Sequence, residues 1–307
     1  MNVVLFLGTK IGYTGLKTLI DLGANIKQVF VDKEHVHEIE KYDQSIIDLC
    51  KKNDIKVYEG ASHNDIDRAT DQEKIDYIFC FGFRRLIKET VLKKAQYAAC
   101  STHFSLLPKY RGFAPVNWAI INGEDKCGVS LFHMEKEADC GDIVAQRQVA
   151  IGQNDYVESV MNSCIDTFQS ILNEVWPELK KGNVTRIVQD DSIATYTCAR
   201  NPEDGEINWN ETTQVIYNLI RGTSKPFPGA FTKYKNDKMT IWKAEPYEVG
   251  HYVGRIPGKV IQVIKDGGIV VLTGDGALLI QEVEMDNDPV SRTPDQIVRS
   301  VRVTLGS

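Results

Sequence analysis

In the run His103-Phe-Ser-Leu-Leu-Pro-Lys-Tyr-Arg-Gly112, a side chain that titrates near neutral pH directly precedes a segment broken by Pro108 and Gly112. Such a segment does not continue as a regular helix or strand, so His103 ends one element and stands beside a fixed loop. Ser101 lies two residues earlier, on the same strand face. Asp139 follows a later apolar run, residues 128–134. If His103 and Asp139 converge, the carboxylate favours the charged imidazole and fixes its orientation. The pair then suits acyl transfer to an amine, in which a proton leaves nitrogen while negative charge gathers on the carbonyl oxygen. In that chemistry His103 relays the proton or donates to the oxygen. Asp139 accepts a proton or holds His103, and Ser101 offers a further hydroxyl donor. Two other readings use the same residues. A serine hydrolase would also need Ser101 and His103, but the G-x-S-x-G elbow is missing and Ser101 falls within a strand rather than on a strained turn. The plainer alternative is a strand-end serine and a histidine whose hydrogen bonds are satisfied internally.

The elements that must position these residues alternate along the chain. Residues 3–8 form a short, continuous apolar run that ends in glycine and reads as a buried strand. Residues 12–22 follow as a helix with Leu16, Leu19 and Ile20 at core spacing, and residues 25–31 as a second strand. Strand, helix and strand within about thirty residues predict a right-handed parallel crossover. Residues 44–52 and 88–94 read as helices and residues 56–58, 75–81 and 98–103 as strands, the last delivering His103 at its carboxyl end. Pro115 suits the first turn of a helix over 115–122. Strands over 128–134 and 143–151 and a long amphipathic helix over 156–179 complete the pattern. An open α/β sheet results, with ligands expected beyond the carboxyl ends of its strands, where His103 and Asp139 are placed. The character changes after residue 181: residues 183–202 are polar and irregular, and residues 212–221 form a short helix. Short apolar runs at 239–244, 258–265, 268–272 and 277–284, separated by Gly and Asp turns, predict a small barrel or sandwich. The expected organisation is a catalytic domain over 1–185, a linker over 186–205 and a second domain over 206–307.

Composition narrows the classes of function. A chain of 307 residues favours two domains. The net charge of −6 and pI near 5.6 argue against a phosphate-seeking surface. Residues 206–307 balance twelve Lys and Arg against twelve Asp and Glu. The seven cysteines are scattered with no Cys-x-x-Cys pair, which predicts free thiols in a reducing cytoplasm and no zinc site, and no other metal site is expected. No basic leader opens the chain and no apolar stretch approaches the ~20 residues of a membrane span, so a cytoplasmic protein without membrane contact is expected. Gly8-Thr-Lys-Ile-Gly12-Tyr-Thr-Gly15 does not have G-x-G-x-x-G spacing, and Asp32 does not clearly end the second strand as a dinucleotide site requires. A turn into the first helix is the expected role of these glycines.

Beyond the individual residues, several blocks in order resemble the core signature of the folate-dependent formyltransferases. They are His103 to Gly112, Ala114-Pro-Val-Asn-Trp-Ala119, Asn122-Gly-Glu124, Gly128-Val129 and Glu137-Ala-Asp-Cys-Gly-Asp-Ile143. Phe81-Gly-Phe-Arg-Arg-Leu-Ile87 is similar to the loop that lies along 10-formyltetrahydrofolate in that family. Pro202-Glu-Asp-Gly-Glu-Ile-Asn-Trp209 and Pro226-Phe-Pro-Gly-Ala-Phe231 are similar to blocks of its second domain, so the resemblance covers nearly the whole chain. It implies a Rossmann-like open-sheet formyltransferase domain followed by a small β-rich, OB-like domain, with 10-formyltetrahydrofolate as co-substrate. It further implies that Ser101, His103 and Asp139 are catalytic and that Arg85, Leu86, Ile87, Glu135 and Asp139 contact the folate.

One position departs from the family. Its Asn-x-His pair is here Ser101-x-His103, and a serine has one donor on a shorter arm where the amide has two. Losing an oxyanion donor costs about 10²–10³ in rate, so a catalytically impaired, ligand-binding homologue is an alternative. Single-domain purine-pathway formyltransferases are shorter than this chain. Methionyl-tRNA formyltransferases share the two-domain layout but must hold a polyanion, which the neutral second domain disfavours, so no nucleic-acid partner is expected. The resemblance is greatest to the branch that formylates nucleotide-linked amino sugars (UDP- or dTDP-) for surface polysaccharide such as lipopolysaccharide. In one member of that branch an arginine that contacts the sugar nucleotide stands two residues beyond the Tyr-Arg pair, where this chain has Phe113. Arg111 either meets phosphate or braces the loop. A homodimer is compatible with the family, and no residue of the sequence specifies its interface.

Overall fold

Val3, Val4, Leu5, Phe6 and Leu7 are completely buried, which explains why this strand carries no polar alternation: both of its faces are covered. A computed structural model describes residues 1–32, 41–235 and 237–306. It divides into two compact units. The first comprises residues 1–115, 126–150 and 161–198, and the second comprises residues 116–125, 151–160 and 199–307.

The first unit is built on strands β1 (Asn2–Leu7), β2 (Asn25–Val31), β3 (Lys56–Glu59), β4 (Ile75–Phe81) and β5 (Ala95–His103). Helices α1 (Thr9–Asp21), α2 (Asp43–Lys52), α3 (His63–Asp71) and the single turn α4 (Glu89–Leu92) connect them. A two-residue strand, β6 (Arg111–Gly112), and helix α5 (Pro115–Ile121) come next, then strands β7 (Lys126–His133) and β8 (Ile143–Ala150). Helix α6 (Val157–Leu179) and the two-residue β9 (Tyr196–Thr197) end this part of the chain. The seven-stranded sheet runs β3-β2-β1-β4-β5-β7-β8. Its first five strands are parallel, whereas β7 is antiparallel to both β5 and β8. The order reverses between β1 and β4, the place where open α/β sheets leave a crevice.

The three glycines after β1 serve close packing. A Cβ on Gly12 would lie 2.8 Å from the Phe81 carbonyl oxygen, and one on Gly15 would run into the Phe81 ring. They let α1 lie directly on β4. Helix α6 buries Cys164, Phe168, Leu172 and Leu179, and its Trp176 donates from Nε1 to the Leu22 carbonyl at 3.1 Å. Helix α3 left little periodic signal because Ile66 and Ala69 are its only buried apolar residues. Its sequence mark is the Ser62–Asp65 capping box.

Two expectations are corrected. Because β7 opposes the parallel strands, its carboxyl end does not lie at their carboxyl edge; the loop of residues 134–142, closed by the His133 N–H donating to the Asp142 carbonyl at 2.8 Å, is what carries Asp139 to His103. Residues 186–205 are not a free linker either. Ile187 exchanges backbone hydrogen bonds with Ile143 (2.8 and 3.0 Å), and β9 pairs in parallel with β6. That stretch looked irregular because its partners are distant in the chain.

The second unit is the small β-rich domain expected after the α/β sheet. Helix α7 (Thr213–Thr223) precedes strands β10 (Ala230–Tyr234), β11 (Asp237–Pro246), β12 (Val260–Ile264), β13 (Gly268–Leu272), β14 (Ala277–Met285) and β15 (Asp288–Arg292). The sheet is antiparallel in the order β10-β11-β14-β13-β12, with β15 on β14. Ile216, Tyr217 and Ile220 of α7 join Trp209, Ile241, Ile280 and Val283 in one apolar core. Asn117 of α5 donates to the Gly222 carbonyl at 2.8 Å, so α5 is fastened to the end of α7.

Candidate active site

His103 ends β5, is nine-tenths buried, and its two ring nitrogens face different partners. Nε2 lies 2.7 Å from the Tyr110 carbonyl oxygen. A carbonyl only accepts, so Nε2 is the nitrogen that carries hydrogen and donates. Nδ1 faces Asp139 Oδ2 at 3.7 Å, longer than a hydrogen bond. Oδ2 of Asp139 also accepts the Gly112 N–H at 2.9 Å. The buried His133 is a useful contrast. Its Nε2 donates to the Thr185 carbonyl at 2.9 Å, and burial holds its pKa below the usual histidine value, so it stays neutral and structural.

The loop that faces His103 is held by polar contacts along its length. Ser105 Oγ donates to the Lys109 carbonyl (2.7 Å), and Ser130 Oγ donates to the Ser105 carbonyl (2.7 Å). Gln146 Nε2 donates to the Leu107 carbonyl (2.9 Å). The Tyr110 N–H donates to Thr195 Oγ1 (2.8 Å), and the Arg111 N–H to the Thr195 carbonyl (2.9 Å). Tyr110, Ala114 and Asp139 have φ of +59°, +47° and +60°, the left-handed region that side chains rarely adopt. Backbone in that region persists only where its surroundings over-determine it, and such residues cluster at functional sites.

The site residues expected from the sequence fall into three groups. His103 and Asp139 are brought together as described. Ser101 is nearby, but its Oγ donates to the Cys80 carbonyl at 2.9 Å. Its one hydrogen is committed inside the sheet, and burial pushes the adjacent Cys80 thiol up to about 12, so neither group offers a ready donor or nucleophile. To act as an additional donor Ser101 would have to turn its hydroxyl away from the Cys80 carbonyl.

Arg111 and Phe113 point opposite ways. Arg111 is 2% exposed. Its Nη2 donates to Gln189 Oε1 (2.8 Å) and Asp191 Oδ1 (2.7 Å), its Nε to Gln189 Oε1 (3.2 Å), and its Nη1 to Tyr196 Oη (3.3 Å). A guanidinium so fully occupied braces the loop, which corrects the phosphate-contact alternative. Phe113 is 64% exposed.

The residues expected to meet folate lie on two loops. Arg85 donates from Nε to Asp32 Oδ1 (2.5 Å) and from Nη1 to the Ala61 carbonyl (2.7 Å), and it stacks over Phe83 with 5.0 Å between Cζ and the ring centre. Its Nη2 is buried without a protein partner. Leu86 is 80% exposed beside it, and Ile87 packs partly onto the core of the sheet. Glu135 is exposed on the loop before Asp139. That loop turns tightly at Gly141, where any side chain would collide with the His133 carbonyl.

Sequence reasoning missed Gln189. It is buried beneath Asp139, donating from Nε2 to the Asp139 carbonyl (2.9 Å) and the Gly141 carbonyl (2.7 Å). Its position in an aperiodic polar stretch left no signal. Among the described residues no group of His, Cys, Asp and Glu is arranged to hold a metal ion, and no helix is long and apolar enough to cross a membrane.

The family model for formyl transferases matches residues 12–176, and the model for the formyl transferase C-terminal domain matches residues 200–295. Among solved structures the chain is similar to the N-formyltransferase from Helicobacter canadensis in complex with folinic acid and dTDP-3-aminofucose, at 18% identity and a TM-score of 0.70 over 91% of this chain and 98% of that one. It is similar to WlaRD, a sugar 3N-formyltransferase solved in the presence of dTDP and 5-N-formyl-THF, at 20% identity and a TM-score of 0.69 over 94% of this chain and 98% of that one. It is also similar to HypX from Aquifex aeolicus in complex with tetrahydrofolic acid, at 18% identity and a TM-score of 0.66 over 96% of this chain. The chain spans about half the length of HypX, covering 46% of it. At these identities the structural likeness establishes a shared fold.

Proposed function

Because the chain belongs to the formyl transferase family, we propose that it transfers a formyl group from 10-formyltetrahydrofolate to the amine of a nucleotide-linked amino sugar. The single observation that carries the reading is the facing of His103 Nδ1 and Asp139 Oδ2 at 3.7 Å, both still reached by solvent. With Nε2 engaged by the Tyr110 carbonyl, Nδ1 is the nitrogen free to take a proton from the attacking amine. Asp139 then stabilises the imidazolium, which can donate to the oxygen on which charge develops.

The folate supplies the formyl group, and the residues present fit it. The orphaned Arg85 Nη2 is a donor that lacks a partner, and exposed Leu86 beside it offers an apolar face to a flat ring. Glu135 and Asp139 lie on the loop of residues 134–142. Exposed Phe113 gives the acceptor an aromatic surface. Two structural neighbours, one solved with dTDP-3-aminofucose and one with dTDP, support a thymidine-linked sugar ahead of a uridine-linked one. The neutral charge balance of residues 206–307 supports a small acceptor over methionyl-tRNA. The product would be an N-formyl sugar for surface polysaccharide.

The test is incubation of the protein with 10-formyltetrahydrofolate and a panel of dTDP- and UDP-amino sugars, with mass spectrometry of the products. An N-formyl sugar nucleotide is expected from at least one dTDP-amino sugar. No formylated product from any of them would remove the reading. Tight ligand binding without turnover would identify a non-catalytic homologue, the outcome that Ser101 makes worth testing.

A further inference from the structure

Asp139 holds an unfavourable backbone conformation, with φ +60°, and yet aims its carboxylate at both His103 and the Gly112 N–H. Its own backbone carbonyl is held by Gln189. The amide of Gln189 cannot reverse: the Arg111 guanidinium has only donors, so Oε1 must face it, and the NH₂ group must face the carbonyls of Asp139 and Gly141. Asp191 accepts at 2.7 Å from Nη2, the same nitrogen that donates to Gln189. A continuous chain of hydrogen bonds therefore runs from Asp191 through Arg111 and Gln189 to the backbone of Asp139. Its last link, the Asp139 carboxylate, meets Gly112, the residue after Arg111.

We propose that Gln189 is a positioning residue that sets the Asp139 carboxylate against His103 by pinning the Asp139 backbone. The effect on rate rests on the formyl-transfer reading. The geometric claim does not.

Gln189→Glu separates the two jobs of the amide. It keeps an acceptor for Arg111 and turns the other end into an oxygen that faces two carbonyl oxygens. The expected result is a fall in kcat of about 10- to 100-fold, as misplacement near 1 Å produces, with both KM values within about twofold of wild type. In an Asp139→Asn background the same substitution should change kcat little further, because coupled residues are not additive. Wild-type kcat in Gln189→Glu, or an equal fractional loss in both backgrounds, would overturn the proposal. A crystal structure of Gln189→Glu decides the geometry even if no acceptor is turned over. The His103–Asp139 separation should exceed 3.7 Å, and an unchanged pair overturns the proposal. If that variant does not fold, Gln189→Asn, whose amide sits on an arm one carbon shorter, carries the same expectations and readouts.

Discussion

In the second unit, Trp209, Ile216, Ile241, Ile280 and Val283 meet as a dry apolar core between one helix and one sheet, whereas around His103 the side chains that matter are polar and find partners far along the chain. The core accepts any close-packed apolar arrangement of the right volume. The site does not. His103 needs the Tyr110 carbonyl on one nitrogen and Asp139 on the other, and both of those residues are held at positive φ. Non-directional burial stabilises the one region, and directional contacts that preset a geometry define the other.

Four substitutions test that contrast. His103→Ala should lower kcat by about 10²–10⁴, the usual worth of a general acid–base group, while costing about 1–3 kcal/mol of stability because the Tyr110 carbonyl loses its donor. A kcat near wild type in the folded protein would show the histidine to be structural after all. Trp209→Ala removes a buried ring that also donates to Thr232 Oγ1 at 3.0 Å. It should cost about 3–5 kcal/mol in urea unfolding with kcat per folded molecule within about twofold. A collapse of kcat in the folded fraction would break the comparison.

The next two act within the site. Ser101→Asn supplies a two-donor amide where the serine hydroxyl is committed to the Cys80 carbonyl. Single-turnover kinetics should show a gain in kcat of at most about 10²-fold, the lower worth of one oxyanion donor. Equal or slower turnover would show that the serine is no handicap. Phe113→Ala should raise KM for the sugar nucleotide by about tenfold with little change in kcat, as expected for the loss of about 1–3 kcal/mol of stacking. An unchanged KM would take Phe113 out of the site.

The legible and illegible parts of the molecule follow the same division. Buried strands such as residues 3–7 announce themselves because every neighbour along the chain is apolar, and Phe81 ends such a run; His103 follows the mixed run Ala-Ala-Cys-Ser-Thr, and the breaks at Pro108 and Gly112 mark the loop beside it. The direction of β7 was not legible, since an apolar run reads the same whichever way it is paired. Arg111 and Phe113 are two residues apart in one loop, and no local pattern says that the first turns inward to Gln189 and Asp191 while the second turns out to solvent. Residues 187–197 looked like a linker because their order comes from Ile143, Pro108 and Arg111, not from each other.

The alternation of helices and strands, the residue types suited to proton transfer, and the block order that marks the family are all written along the chain. Those properties depend on near neighbours and on composition. The three-dimensional packing alone shows that Asp139 reaches His103 by a loop off an antiparallel strand, that the Ser101 hydroxyl is already engaged, and that Gln189 donates to the Asp139 backbone carbonyl. Each of these depends on which distant groups a directional hydrogen bond finds, and no periodicity along the chain encodes that.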